Sequence, residues 1–273
     1  MKSLTKLALV GAALAASAGA YADVATPSTG TGQAVLFVKN ETTGVVYARG
    51  LDLFANDIAS QSAIVGDTYT GSGTTPDTSL SFSLPASIGP DANLSGFLNA
   101  TDSFSWTVMI ADSLGGLAVG DKRVFSTSSQ TINTPQNSST NTMAASFNTF
   151  IGSLNAALPD SGPNSVASGG LWDQTGAGTL AENADTWFGQ GINNKNTLGT
   201  ASNFYLLTTA GGSTGTAARQ YLLGQLRLTA NGTLESVGGT TTEVPLPPAV
   251  WLLGSALAGF AGLRRRLDGT ASS

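Results

Sequence analysis

The chain has 273 residues, 34 of them glycine, with 12 basic and 17 acidic side chains and a net charge of −5. It contains no cysteine and no histidine, which excludes Ser-His-Asp and Cys-His catalysis, the usual zinc, copper and haem ligand sets, and stapling by disulfides. Residues 23–243 hold 16 acidic and 7 basic side chains scattered singly, so the clustered Lys and Arg of a nucleic-acid-binding surface are missing.

Residues 1–22 begin with Lys2 and Lys6, run apolar from Leu7 to Ala20, and close on Ala20-Tyr21-Ala22. Small residues three and one positions before Asp23 mark a signal-peptidase cut between Ala22 and Asp23, so this segment reads as a secretory leader. Its apolar run is short for a membrane span. Next, Val35–Val38 and Val45–Tyr47 flank the turn-rich stretch Asn40 to Gly44, which predicts a β-hairpin. In LDLFANDIAS, residues 51–60, Asp52, Asn56 and Asp57 lie close together, but the glycine and terminal glutamate of a calcium loop are missing. A turn or helix start is expected there.

Leu80, Phe82 and Leu84 alternate with serines, and Phe104, Trp106, Val108 and Ile110 alternate with Ser103, Ser105 and Thr107 on the other side. Both patterns predict half-buried strands. Ser126 to Thr142 is polar and of low complexity, the composition of a mobile loop or solvated strand edge. Met143, Phe147, Phe150, Ile151, Leu154 and Leu158 then fall on one stripe of a helix, with Asn141 as the expected cap and Pro159 as the stop.

Asp160 to Ser202 is a long connection rich in Gly, Asn and Ser that nevertheless carries Trp172 and Trp187-Phe188. Three further strands are predicted at 203–208, 221–229 and 233–237, the last two joined by the tight turn Asn231-Gly232. Together these elements predict a mainly β domain over residues 23–243: an antiparallel β-sandwich-like fold with one substantial amphipathic helix.

The end of the chain is different in kind. Val244 to Leu263 is a run of twenty residues without a charge, followed by Arg264, Arg265 and Arg266. At about 1.5 Å per residue a helix of that length spans the roughly 30 Å bilayer core, and the arginines hold its end on the cytoplasmic side. Residues 267–273 then form a short cytoplasmic tail, and the domain faces outward.

VPLPPAVWLLGSALAGFAGLRRR, residues 244–266, resembles the C-terminal sorting signal of PEP-CTERM proteins in its Val-Pro-Leu-Pro-Ala variant. Its parts are the motif Val244, Pro245, Leu246, Pro247 and Pro248, an apolar helix, and the arginine cluster. Pro248 stands where that variant has alanine, and LDGTASS follows the arginines. The resemblance implies recognition by exosortase, a membrane cysteine protease or transpeptidase, and release or transfer to the cell surface of an exopolysaccharide-producing Gram-negative bacterium. It is limited to these 23 residues and is silent on the domain before them.

The expectation is a non-enzymatic surface or extracellular-matrix protein that needs no metal or cofactor. It would be anchored in the inner membrane, with its domain in the periplasm, until processed. One alternative is a carbohydrate-binding module presenting Trp172 or Trp187 to exopolysaccharide, with Asp173, Asn183 and Asp185 available to sugar hydroxyls. The plainer reading of the same rings is that they cover one end of the fold. Another alternative is a filament subunit in which Val35–Val38 completes a neighbour's sheet. Glu41, Glu182, Glu235 and several aspartates are acids from which folding could build a glycosidase pair, although nothing in their spacing joins them. Asn40, Asn93, Asn99, Asn137 and Asn231 each open an Asn-x-Ser/Thr triplet, as chance allows in a chain of this composition.

Overall fold

The computed structural model describes residues 24–25, 27, 31–98, 101–113, 115–158, 169–172 and 194–237, all within one compact unit. Ala20, Ala22 and Asp23 at the expected leader cut, residues 244–248 of the expected sorting motif, and the arginines 264–266 lie outside them.

Ten strands form one antiparallel sheet. They are β1 (Gln33–Asn40), β2 (Val46–Phe54), β3 (Ser87–Ile88), β4 (Phe104–Ser113), β5 (Lys122–Ser128), β6 (Gly170–Trp172), β7 (Asn196–Thr197), β8 (Ser202–Thr208), β9 (Arg219–Leu228) and β10 (Leu234–Val237). Nine of them run in the order β3-β10-β9-β8-β5-β4-β1-β2-β6, and β7 pairs with β4 beside the β5 contact. The helices are α1 (Ala55–Ile58), α2 (Gln61–Gly66), α3 (Ala92–Phe97) and α4 (Asn137–Ala157).

The expected sandwich of two sheets is therefore corrected to a single curled sheet. The reason lies in the strands themselves. In β1, Ala34, Leu36 and Val38 face one side while Val35 and Phe37 face the other, and both sides are buried. A strand that is apolar on both faces needs a layer on each side rather than one partner sheet. The helix α4 supplies one layer: Met143, Phe147, Phe150, Ile151 and Leu154 pack on Phe37, Met109, Val124 and Tyr205. Residues 55–98 supply the other, bringing Ile58, Ile64, Leu80, Leu84 and Leu94 against Leu36, Trp106, Phe125 and Tyr221.

One irregularity keeps the inner face apolar. Between Tyr205 and Phe204 the β8–β9 register slips, so that Gly224 rather than Leu223 stands opposite Phe204. Tyr221 and Leu223 point inward before this bulge, and Leu226 and Leu228 point inward after it. Without the extra residue, the last two leucines would turn outward.

Several expectations hold: the hairpin of β1 and β2, the strand β4, the C-terminal strands β8 to β10, and the helix with its stripe. Others do not. Residues 79–84 keep the inward alternation of Leu80, Phe82 and Leu84 but pair with no strand; they form a strap, tied by the Ser83 N–H to the Ile58 carbonyl at 3.0 Å. The serine side of β4 is not exposed, because Ser105 and Thr107 are buried as well.

The polar stretch 126–142 is mostly ordered: Ser126–Ser128 finish β5 and Asn137 opens α4, four residues before the predicted cap. Asn137 is buried, donating to the carbonyls of Gly211 and Ser213 and accepting from the Ala210 N–H, so docking on the β8–β9 hairpin decides where the helix begins. Of the long connection 160–202, residues 170–172 form β6 on the edge of β2, and 196–197 form β7.

Candidate functional site

A groove of about 530 Å³ is lined by Leu98, Asp102, Ser103, Phe104, Thr197, Leu198 and Ala230. Three distant segments build it. Phe104 starts β4 and meets the Phe97 ring edge-on at 5.4 Å, while Phe97 in turn stacks on Tyr47. Leu98 follows as the C-cap of α3. Thr197 belongs to β7, whose position is set by the Trp106 indole N–H donating to its carbonyl at 3.0 Å. Ala230 comes from the β9–β10 turn. The Asn40 amide donates to the Asp102 carboxylate at 2.7 Å and so places an acid on the rim. The result is an apolar floor with a polar margin, within the size range of small-ligand sites.

A second crevice, between Leu51 and Leu53 on β2 and Leu226 and Leu234 on β9 and β10, holds only about 10 Å³. That is room for one water, not for a ligand.

Among the described residues, several titratable groups tie separate elements together. Asp112 and Arg123 stand opposite each other on β4 and β5, fully buried, with both Nε and Nη2 of the arginine donating to Asp112 Oδ2. Arg123 Nη1 also donates to Asn56 Oδ1 at 2.7 Å and to the Ala59 carbonyl at 2.8 Å. Asp77 accepts from both the backbone and the hydroxyl of Thr70 and of Ser79. Burial pushes its carboxyl up, but these donors outweigh it and hold the group down at about 2.

Glu41 is likewise raised by burial, yet hydrogen bonds from Lys195 and Ser105 and the charge of Lys39 leave it below the usual value. Glu235 pairs with Arg227 at 2.6 Å. The Tyr47 phenol, raised by burial and by the Asp91 carboxylate it donates to, ties β2 to the N-cap of α3.

The predicted candidates are not gathered into one place. Glu41 and Glu235 have separate cationic partners, and Glu182 lies outside the described residues. Asp52, Asn56 and Asp57 meet Gln33, Arg123 and the Phe54 N–H respectively, the last at the start of α1. Among the described residues no group of three or more acidic side chains is placed to hold a metal. Trp172 sits on β6 opposite Val46, and Trp187 lies outside the described residues. Asn40 and Asn137, two of the triplet asparagines, are buried. Val35–Val38 is a central strand, paired on both edges by β2 and β4.

Sequence reasoning missed the groove, whose lining comes from positions near 100, 197 and 230 with no shared motif. It also missed the Asp112–Arg123 pair. Among the described residues no helix is long and apolar enough to cross a membrane. No protein-family model, curated protein or solved structure matches the chain.

Proposed function

We propose that the chain is a non-enzymatic exported protein of the cell surface or extracellular matrix, sorted by exosortase in an exopolysaccharide-producing Gram-negative bacterium. The observation that carries this reading is the pairing, in one sequence, of a leader ending Ala20-Tyr21-Ala22 with a tail that reads VPLPP, an apolar run and three arginines. Both ends specify the same orientation, with the domain outside and Arg264–Arg266 inside. A domain without histidine or cysteine, whose buried acids serve as internal ties, supports a binding or structural role. The decisive measurement is the intact mass of the protein from its host. Mature protein should begin at Asp23 and lack Leu252–Ser273, and deleting the exosortase should leave the longer form in the membrane. A full tail on protein from an exosortase-positive host would make the helix a permanent anchor instead.

The groove favours a second reading, a carbohydrate-binding surface module. A sugar ring has an apolar face and a hydroxyl rim, which suits a floor of Leu98, Phe104 and Leu198 beside Asp102, Ser103 and Thr197. Retention of the domain on host exopolysaccharide, lost on Leu198→Asp with melting unchanged, is the expected result under that reading; no retention by the parent domain removes it.

A further inference from the structure

Val24, the second residue after the expected leader cut, is only 2 % exposed and packs into the core beneath α4. Its N–H donates to Asn155 Oδ1 at 3.0 Å, and its carbonyl accepts from Asn155 Nδ2, also at 3.0 Å. One carboxamide from the last turn of α4 thus grips both backbone groups of that residue. Gln33, buried at the start of β1, holds Ala25 less closely: its side-chain Oε1 accepts from the Ala25 N–H at 2.9 Å, and its backbone N–H donates to the Ala25 carbonyl at 3.4 Å. Gln33 Nε2 is itself held by Asp52 at 3.1 Å. A Cβ on Gly50 would press on this amide at 3.1 Å, so β2 leaves room for the carboxamide that holds Ala25. They are a docked ligand of the domain rather than a loose terminus.

A protease needs the chain extended over several residues on both sides of the bond it cuts, so structure beside that bond must open first. We infer that docking of Val24 and cleavage between Ala22 and Asp23 exclude each other. The leader is cut while the chain is unfolded, and a domain that folds first keeps its leader. Asn155 and Gln33 are the positioning residues that impose this order. The inference rests on the leader reading given above.

The test offers the full chain, leader included, to detergent-solubilised signal peptidase, either prefolded or freshly diluted from denaturant. The freshly diluted chain should be cut to begin at Asp23, and the prefolded chain at least about tenfold more slowly, because only its open fraction is a substrate. Asn155→Ala and, separately, Val24→Gly should bring the prefolded chain up to the fast rate while melting curves show the domain still folded. Equal rates for the two wild-type preparations overturn the inference, as does continued protection in variants that remain folded. If both variants unfold, the wild-type ratio decides alone. A freshly diluted chain left uncut between Ala22 and Asp23 sinks the leader reading itself, and this inference with it.

Discussion

The two faces of the sheet are covered in opposite ways. On one side lies α4, 21 residues whose internal hydrogen bonds satisfy its backbone and whose apolar stripe docks on the sheet. On the other lies the stretch 55–98, three short helices joined by straps that cannot satisfy their own backbone. That layer borrows partners from the sheet: Arg123 donates to the Ala59 carbonyl, Arg219 to the Ile64 carbonyl at 3.0 Å, and the Asp77 N–H to the Gln220 carbonyl at 2.9 Å. Irregular backbone can be buried only where something pairs its polar groups. Hence the helix face is held by packing along the length of α4, with polar ties only near its two ends at Asn137 and Asn155, while the other face is packed and also pinned by polar contacts along its whole irregular layer.

This contrast is open to test by substitution, followed by urea or thermal unfolding. The largest effect is expected at the central pin. Arg123→Leu should cost about 3–5 kcal/mol, because it takes from the buried Asp112 the guanidinium that faces it across the two strands. The double variant with Asp112→Leu should recover part of that loss; a double variant as unstable as the two singles summed would show that the pair is not a unit.

On the helix face Leu154→Ala should cost about 2–5 kcal/mol, since a fully buried side chain leaves a cavity between rigid layers. Leu80→Ala, on the strap, should cost about 2 kcal/mol, the low end of that range, because a segment outside the sheet ladder can close over the gap. Equal losses at both sites would erase the proposed difference in rigidity.

Asp77→Asn should cost about 1–3 kcal/mol, because the amide offers fewer acceptors to Thr70 and Ser79. The sign of its pH effect is definite. With the folded group held at about 2, below the ordinary carboxylate value of 3.8, its stabilisation is complete above that ordinary value and is lost as pH falls towards 2. Stability in the wild type should therefore fall over this window more steeply than in Asp77→Asn; parallel acid limbs would remove Asp77 as a pin.

The smallest effect is expected at the rim. Glu235→Gln breaks an ion pair whose side chains are 32 % and 42 % exposed, and should cost at most about 1 kcal/mol, less in high salt.

Periodicity was legible wherever an element meets water or carries a long apolar stripe. The stripe from Met143 to Leu158 marked α4, and Asn231-Gly232 marked the β9–β10 turn, with Gly232 in the left-handed region that such a turn uses. Residues 79–84 show where the same signal misleads: alternation reports which way side chains point, not whether the backbone has a partner strand. Likewise 126–142 looked solvated by composition, yet Ser126, Thr127 and Asn137 are buried and bonded to groups far along the chain. The groove was invisible because nothing local marks Leu98, Thr197 and Ala230 as neighbours.

Sequence alone determined the period of each long element, the exclusion of histidine and cysteine chemistry, and the leader-like and tail-like character of the two ends, because these depend on residue type and short spacing. Only the tertiary structure decided that the strands make one curled sheet instead of two, that a bulge at Leu223–Gly224 keeps the later leucines inward, and that Arg123 reaches from β5 to hold α1. Each of these is a pairing between residues far apart in the chain, and such a pairing is chosen by which polar and apolar groups remain unsatisfied once the local structure has formed.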